Sequence, residues 1–246
     1  TSPIVLDTGL HTIQVRSKDA VGNISEQGIH VVEVDKIAPV APSPSTTTPT
    51  NNVRPTWTWA VVQGASEYHV SLNGSASVSV GTDTTFTPTE DLTSGDHTIQ
   101  VWATDAVGNQ SEKGSHTVTI DLELPPVPQP TTTTPTNNTQ PTWTWPAIPG
   151  VNEYIVTINS NQPVTVTTSG YRPPTELPEG SNIIKVKAKD LVGNLSNDSG
   201  VHTVVIDTTA PAVPSPTTTT PTSNPRPIWT WAESDEDFEY GIVLDN

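Results

Sequence analysis

"HTIQVWATDAVGNQSEKGSHTVTID" (residues 97–121) carries the reading of the fold. In its first part Ile99, Val101 and Ala103 alternate with Thr98, Gln100, Trp102 and Thr104. A period of two is the signature of a strand with one buried face. "AVGN" then interrupts the alternation, with Asp105 opening a turn in which Gly108 supplies a positive φ. A second alternating run follows from His116. The segment therefore predicts strand, turn and antiparallel strand.

The same sentence is written three times. "HTIQVRSKDAVGNISEQGIHVVEVD" (residues 11–35) precedes it and "NIIKVKAKDLVGNLSNDSGVHTVVID" (residues 182–207) follows it. A second phrase recurs with the same spacing: "PTNNVRPTWTWAVVQGASEYHVSLNG" (49–74), "PTNNTQPTWTWPAIPGVNEYIVTINS" (135–160) and "PTSNPRPIWTWAESDEDFEYGIVLDN" (221–246). A unit recurring about every 86 residues is a domain array. Two complete repeats are expected over residues 39–124 and 125–208, flanked by a C-terminal half (1–38) and an N-terminal half (209–246). Proline-rich segments such as "PPVPQPTTTTPTNN" mark the junctions. No stretch has a helical period. About seven short strands per unit, with a turn every 8–12 residues, predict an all-β tandem array of antiparallel β-sandwiches.

The repeated tryptophans fit that architecture. Trp57 and Trp59 lie two apart in a strand and point the same way, as do Trp143 and Trp145. A sandwich this small needs bulky inward residues, so the pair is read as core, packed with Tyr68 on the next strand. Trp102 differs: its phase points outward, where the other copies carry Arg16 and Lys187. It is the candidate ligand-binding residue if the repeats bind sugar. His30, His116 and His202, in phase with the inward valines, are read as hydrogen-bonded caps of the core rather than metal ligands.

The chain has 246 residues, no cysteine and no methionine, and 26 acidic against 10 basic side chains, a net charge of −16. Disulfides and thiolate chemistry are excluded. Nucleic acid and anionic membrane are poor partners for such a chain, because phosphate binding needs clustered Lys and Arg. No run approaches the roughly 18 apolar residues of a membrane span, so membrane insertion is not expected. No nucleophile–base pair, phosphate-cradling loop or His-rich metal spacing is present, and no enzymatic role is read.

Several features together resemble the bacterial immunoglobulin-like repeats, of fibronectin type III-like shape, in large surface proteins and adhesins. They are the "PTWTW" strand, the Glu-Tyr strand opening, the D-x-x-G-N turn and the "VVIDTTAP" exit (residues 204–211). The exit "IDLELPP" (120–126) departs from the pattern. The resemblance implies an extracellular stalk on a bacterial cell surface whose partners are neighbouring repeats of the same chain. An array of carbohydrate-binding modules and a self-assembling filament subunit are the alternatives.

The recurring acids suggest a cofactor. Asp35 is expected to approach Glu67, Asp105 and Asn109 of the next repeat, and Asp121, with Glu123, to approach Glu153, Asp190 and Asn194. Oxygen ligands from two domains suit calcium, so these residues are the candidate metal site and calcium the candidate stiffener of the joint. Finally, the half repeats carry inward faces, such as Ile13/Val15 and Trp229/Trp231, with nothing in the sequence shown to cover them. Either the array continues in both directions, or other copies of the protein cover those faces.

Overall fold

A computed structural model describes residues 4–218, 220–231 and 241–243. Among these residues there is no helix. The leading part is a hairpin of β1 (Gly9–Val15) and β2 (Gly28–Val34), paired antiparallel from Gly9↔Val34 to Val15↔Gly28.

The first sandwich comprises β3 (Trp57–Thr58), β4 (Glu67–Leu72), β5 (Val78–Gly81), β6 (Thr85–Phe86), β7 (Gly95–Thr104) and β8 (Gly114–Ile120). One layer is a four-stranded sheet in the order β5-β4-β7-β8, and the other pairs β3 with β6. The segment before β3 serves both layers. Ser45 bridges Thr58 antiparallel, while Thr50 bridges Ile120 in parallel and so covers the β8 edge. The Thr48 hydroxyl accepts the Thr119 N–H at the same edge (2.9 Å).

The second sandwich repeats this plan with β9 (Trp143–Thr144), β10 (Val151–Ile158), β11 (Val164–Val166), β12 (Gly170–Tyr171), β13 (Gly180–Asp190) and β14 (His202–Ile206). Its sheets are β11-β10-β13-β14 and β12-β9. Thr131 bridges Thr144, and Thr136 bridges Ile206.

Alternation explains the layers. Ile99, Val101 and Ala103 face inward and are wholly buried, with Val118 and Ile120 from β8 beside them. The tryptophan pair closes this core from the opposite sheet: Trp57 has no exposed surface, and Trp59 meets Tyr68 edge-on with ring centroids 5.8 Å apart. Trp145 and Tyr154 repeat the contact at 5.3 Å. Each tyrosine also has a polar task, its hydroxyl accepting the N–H of Val62 (2.7 Å) or Ile148 (3.1 Å). The tryptophan pair is thus the core it was expected to be.

Candidate functional site

The D-x-x-G-N turn is built the same way in three copies. Asp105 Oδ1 accepts the N–H of Val107 (3.0 Å) and Asn109 (2.8 Å), and its Oδ2 accepts Asn109 Nδ2 (2.8 Å). Asp19 holds Val21 and Asn23 likewise, and Asp190 holds Val192, Gly193 and Asn194. Such a turn needs left-handed backbone, supplied by Gly22, Gly108 and Gly193 at φ of 105°, 95° and 101°. The asparagine amide is thereby fixed in space by its own aspartate.

That fixed amide points into the preceding repeat. Asn109 Nδ2 also donates to the backbone carbonyl of Asp35 (3.2 Å), and Asn194 Nδ2 to that of Asp121 (3.0 Å). Each exit aspartate is itself shaped by an Asx turn, Asp35 Oδ1 accepting Ile37 N–H (2.8 Å) and Asp121 Oδ1 accepting Glu123 N–H (3.0 Å). Two preformed turns from successive repeats therefore meet through one amide–carbonyl bond. Each bond of this kind contributes about 0.5–1.5 kcal/mol net.

The structure places the predicted site residues only partly together. Asp35, Asp105 and Asn109 meet, as do Asp121, Asp190 and Asn194, but the link runs through backbone carbonyls rather than through converging carboxylates. Glu67 is engaged along the sheet by His69 Nε2 (3.1 Å) and Ser79 Oγ (3.0 Å), and Glu153 pairs with Lys189 Nζ (2.9 Å). Among the described residues no group of three or more His, Cys, Asp or Glu is placed to hold a metal ion. Asp121, Glu123 and Asp190 do border one cleft of 380 Å³ at the second junction, with Leu124, Pro126 and Leu191. Glu239, the third copy of the acid before tyrosine, lies outside the described residues.

The electrostatics agree with this construction. Asn23, through its side chain and then its backbone, holds the Asp19 carboxyl below its ordinary range. For Asp105, desolvation is the largest influence and pushes upward, yet the bonds from Asn109, Val107 and Gly108 outweigh it, leaving the carboxyl lowered.

Trp102 requires a correction. Its phase is outward as expected, but the side chain is not free: only 9 % of the residue is exposed. His69, its partner on β4, stacks on it with centroids 5.5 Å apart and planes 15° apart, and Lys113 Nζ lies 4.8 Å from the ring centroid. Neighbours from both sides cover the ring that a sugar would have to reach.

The histidine expectation also shifts. His202 Nε2 donates to Ser199 O (2.9 Å), but His30 is exposed and the buried Nε2 of His116 has no hydrogen-bond partner. The polar group closing the core end is one strand earlier. His97 accepts Asn73 Nδ2 at Nδ1 (2.8 Å) and donates from Nε2 to Thr93 O (2.8 Å). Asn182 does the same work in the second sandwich, taking Asn159 Nδ2 (3.0 Å) and donating to Pro178 O (2.8 Å). Two further residues carry structure that the sequence reading passed over. Ser111 Oγ and Ser196 Oγ accept the buried N–H of Ala103 (2.9 Å) and Ala188 (2.8 Å). The signal was present, since a serine follows the turn asparagine by two residues in every copy.

Residues 43–122 match the family model described as bacterial Ig-like domain. The matched Ig-like repeat is the first sandwich, and the second reproduces its sheets, core and turn. The FN1–FN3 domains of chicken CNTN1 are similar in structure at 13 % identity and a TM-score of 0.44, over 80 % of this chain and 75 % of that one. Fibronectin(III)-like modules of Clostridium thermocellum CbhA give 14 % and 0.41, over 68 % and 90 %. No curated protein matches the chain. The Ig-like match rests on the first sandwich, residues 43–122, and no helix of the described residues is long and apolar enough to cross a membrane.

Proposed function

We propose that this chain is a non-enzymatic spacer, a stalk segment of a repetitive extracellular protein on a bacterial surface. The observation that carries this reading is the amide latch recurring at two successive junctions, Asn109 on Asp35 and Asn194 on Asp121. A spacer must transmit position from one domain to the next. A latch built from two rigid turns does so without burying a large interface, which small inter-domain contacts otherwise leave loose. Calcium enters the proposal as an added stiffener that would draw together Asp121, Glu123 and Asp190 at the second joint, which border one cleft without forming a ready metal group. An ion there would complete its shell with carbonyls and water.

The test is small-angle scattering on the wild type and on Asn109→Ala with Asn194→Ala. Loss of the latches shortens the mean maximum dimension and broadens its distribution, while each sandwich still unfolds cooperatively with only a modest drop in melting temperature from the lost turn bonds to Asp105 and Asp190. An unchanged scattering profile in the double variant sinks the latch. Repeating the wild-type measurement with calcium and then chelator isolates the ion: no response removes calcium and leaves the latch standing.

A further inference from the structure

We propose that the second sandwich binds one neutral hexopyranose ring, the end residue of a glycan, in a cleft bordered by β10, β11 and β12. This goes beyond the spacer reading and does not depend on it.

The cleft has a volume of 180 Å³, and its apolar lining includes Val156, Ile158 and Leu177 of the second core. Tyr171 packs against that core from β12, while Asn161 and Gln162 stand exposed between β10 and β11. The two side-chain amides and the Tyr171 hydroxyl make no hydrogen bond to any described residue. Asn159, two residues before Asn161, is fully committed: its carbonyl accepts Ile183 N–H (2.9 Å) and its amide donates to Asn182 Oδ1 (3.0 Å). The first sandwich has the same frame without these groups. Val70 pairs with Val78 as Val156 pairs with Val164, so Ser75 and Ala76 stand where Asn161 and Gln162 do. Phe86 pairs with Trp57 as Tyr171 pairs with Trp143. Ser75 Oγ donates to the adjoining Ala76 carbonyl (3.4 Å), and the Phe86 ring meets Trp57 with centroids 6.4 Å apart. Three changes between the sandwiches therefore extend hydrogen-bonding reach at one cleft, and a core of this kind closes without any of them.

The lining specifies the ligand class. Small-molecule sites combine apolar and aromatic walls with a few polar groups that fix orientation. A pyranose answers to both, with C–H groups on its faces and hydroxyls around its edge, and an aromatic ring beside an amide pair suits it. No charged side chain lines the cleft. The net charge of −16 also repels anions, so the ligand is neutral. The volume lies below the roughly 300 Å³ at which drug-sized pockets begin, which limits the occupant to a single ring. Exposed Asn161, Gln162 and Pro174 leave the mouth open to solvent, where the rest of a glycan can trail.

Amide chemical-shift titration of the 246-residue chain tests this. The probes are the methyl glycosides of glucose, galactose, mannose and N-acetylglucosamine, which mimic a chain end, and glucuronate as the anionic control. At least one neutral glycoside is expected to shift the amides of residues 156–164 and 171–177 saturably, with a Kd on the order of 1–10 mM. Glucuronate and the amides of the first sandwich should not respond. Tyr171→Phe deletes one hydroxyl and should weaken binding about two- to tenfold. Asn161→Ser with Gln162→Ala and Tyr171→Phe installs the first sandwich's own residues and should abolish the response. An unchanged melting transition of the second sandwich certifies that this variant is folded, and Gln162→Ala alone, at an exposed position, repeats the test without touching the core. No saturable shift with any neutral glycoside overturns the proposal. So does an equal response from the first sandwich, a triple variant that keeps its affinity, or glucuronate bound as tightly as the neutral sugars.

Discussion

The first and second sandwiches share an interior and differ at one solvent-facing strap. Inside, Trp57/Trp143, Tyr68/Tyr154 and Ile99/Ile184 coincide, and Ser111/Ser196 hold the same backbone N–H. Outside, residues eleven apart tie the sheet face to the loop before the last strand, by different chemistry each time. Trp102 receives Lys113 over its ring, Lys187 pairs with Asp198 at 3.5 Å, and in the leading hairpin Arg16 donates to Gln27 at 3.3 Å. The difference teaches where shape is dictated. A dry core accepts one packing solution, whereas the wet face accepts any pair that closes the same gap. The exits vary in the same spirit: Glu179 grips the linker through the Thr208 hydroxyl and N–H and the Thr209 hydroxyl, while the Ser94 hydroxyl donates to the Ile120 carbonyl.

The largest effect should come from breaking the shared interior. Trp143→Ala removes a fully buried indole, a loss of about 3–5 kcal/mol. The two cores are separate clusters, so the second sandwich should melt early while the first keeps its transition, and Trp57→Ala should do the reverse. Calorimetry on both variants resolves the two transitions. Equal shifts of both transitions in either variant would show that the sandwiches do not unfold independently.

An acid titration gives an intermediate effect and sharpens the comparison at the turns. The Asp105 carboxyl is lowered in the folded chain despite its desolvation, by the bonds from Asn109, Val107 and Gly108. A depressed carboxyl contributes stability above the unfolded value of about 3.9 and loses it as pH falls through the lower folded value. The carboxyls of Asp19, held by Asn23, and Glu179, held first by Thr208, shift the same way. Melting temperature should be flat from neutrality to about pH 5 and fall steadily below about pH 4. Asp105→Asn should flatten that fall for the first sandwich alone. An identical acid slope in the variant would mean that the turn carboxylate does not couple to folding.

Legibility followed the same division between interior and surface. The tryptophan pair, the alternating strands and the positive-φ glycines could be read from residue type and spacing, because burial and backbone sterics act on single residues. The cover over Trp102 could not. Strand phase gives a direction, but exposure depends on His69 and Lys113, which only the strand register brings alongside. The latch was hidden for another reason. The recurring acids drew attention to carboxylates, while the contact that joins repeats uses the carbonyls of Asp35 and Asp121, and backbone groups leave no mark in a sequence. His97 and Asn182 look unrelated as letters, yet each closes the core end by accepting one amide and donating to one carbonyl.

The smallest effects belong to the strap. Lys187 and Asp198 are both largely in water, with side chains 39 % and 48 % exposed. A pair in that setting contributes about 0.2–1 kcal/mol. Lys113 over Trp102 is comparable, at about 0.5–1 kcal/mol for an exposed cation–π contact. Trp102 adds something the lysine cannot: its ring also covers His69, so truncating it uncovers apolar surface on two strands. Trp102→Ala should therefore cost the first sandwich more than Lys113→Ala does, and more than Lys187→Ala costs the second. Double-mutant cycles on Trp102/Lys113 and Lys187/Asp198, read by denaturant melting, separate the pair energies from these burial effects. Salt distinguishes the two straps further, because screening weakens an exposed ion pair. The Lys187/Asp198 coupling should fade toward zero at 1 M salt, and the stacked share of Trp102 should persist. If Trp102→Ala proves no more costly than Lys187→Ala, the aromatic strap is interchangeable surface, and its burial has no energetic consequence.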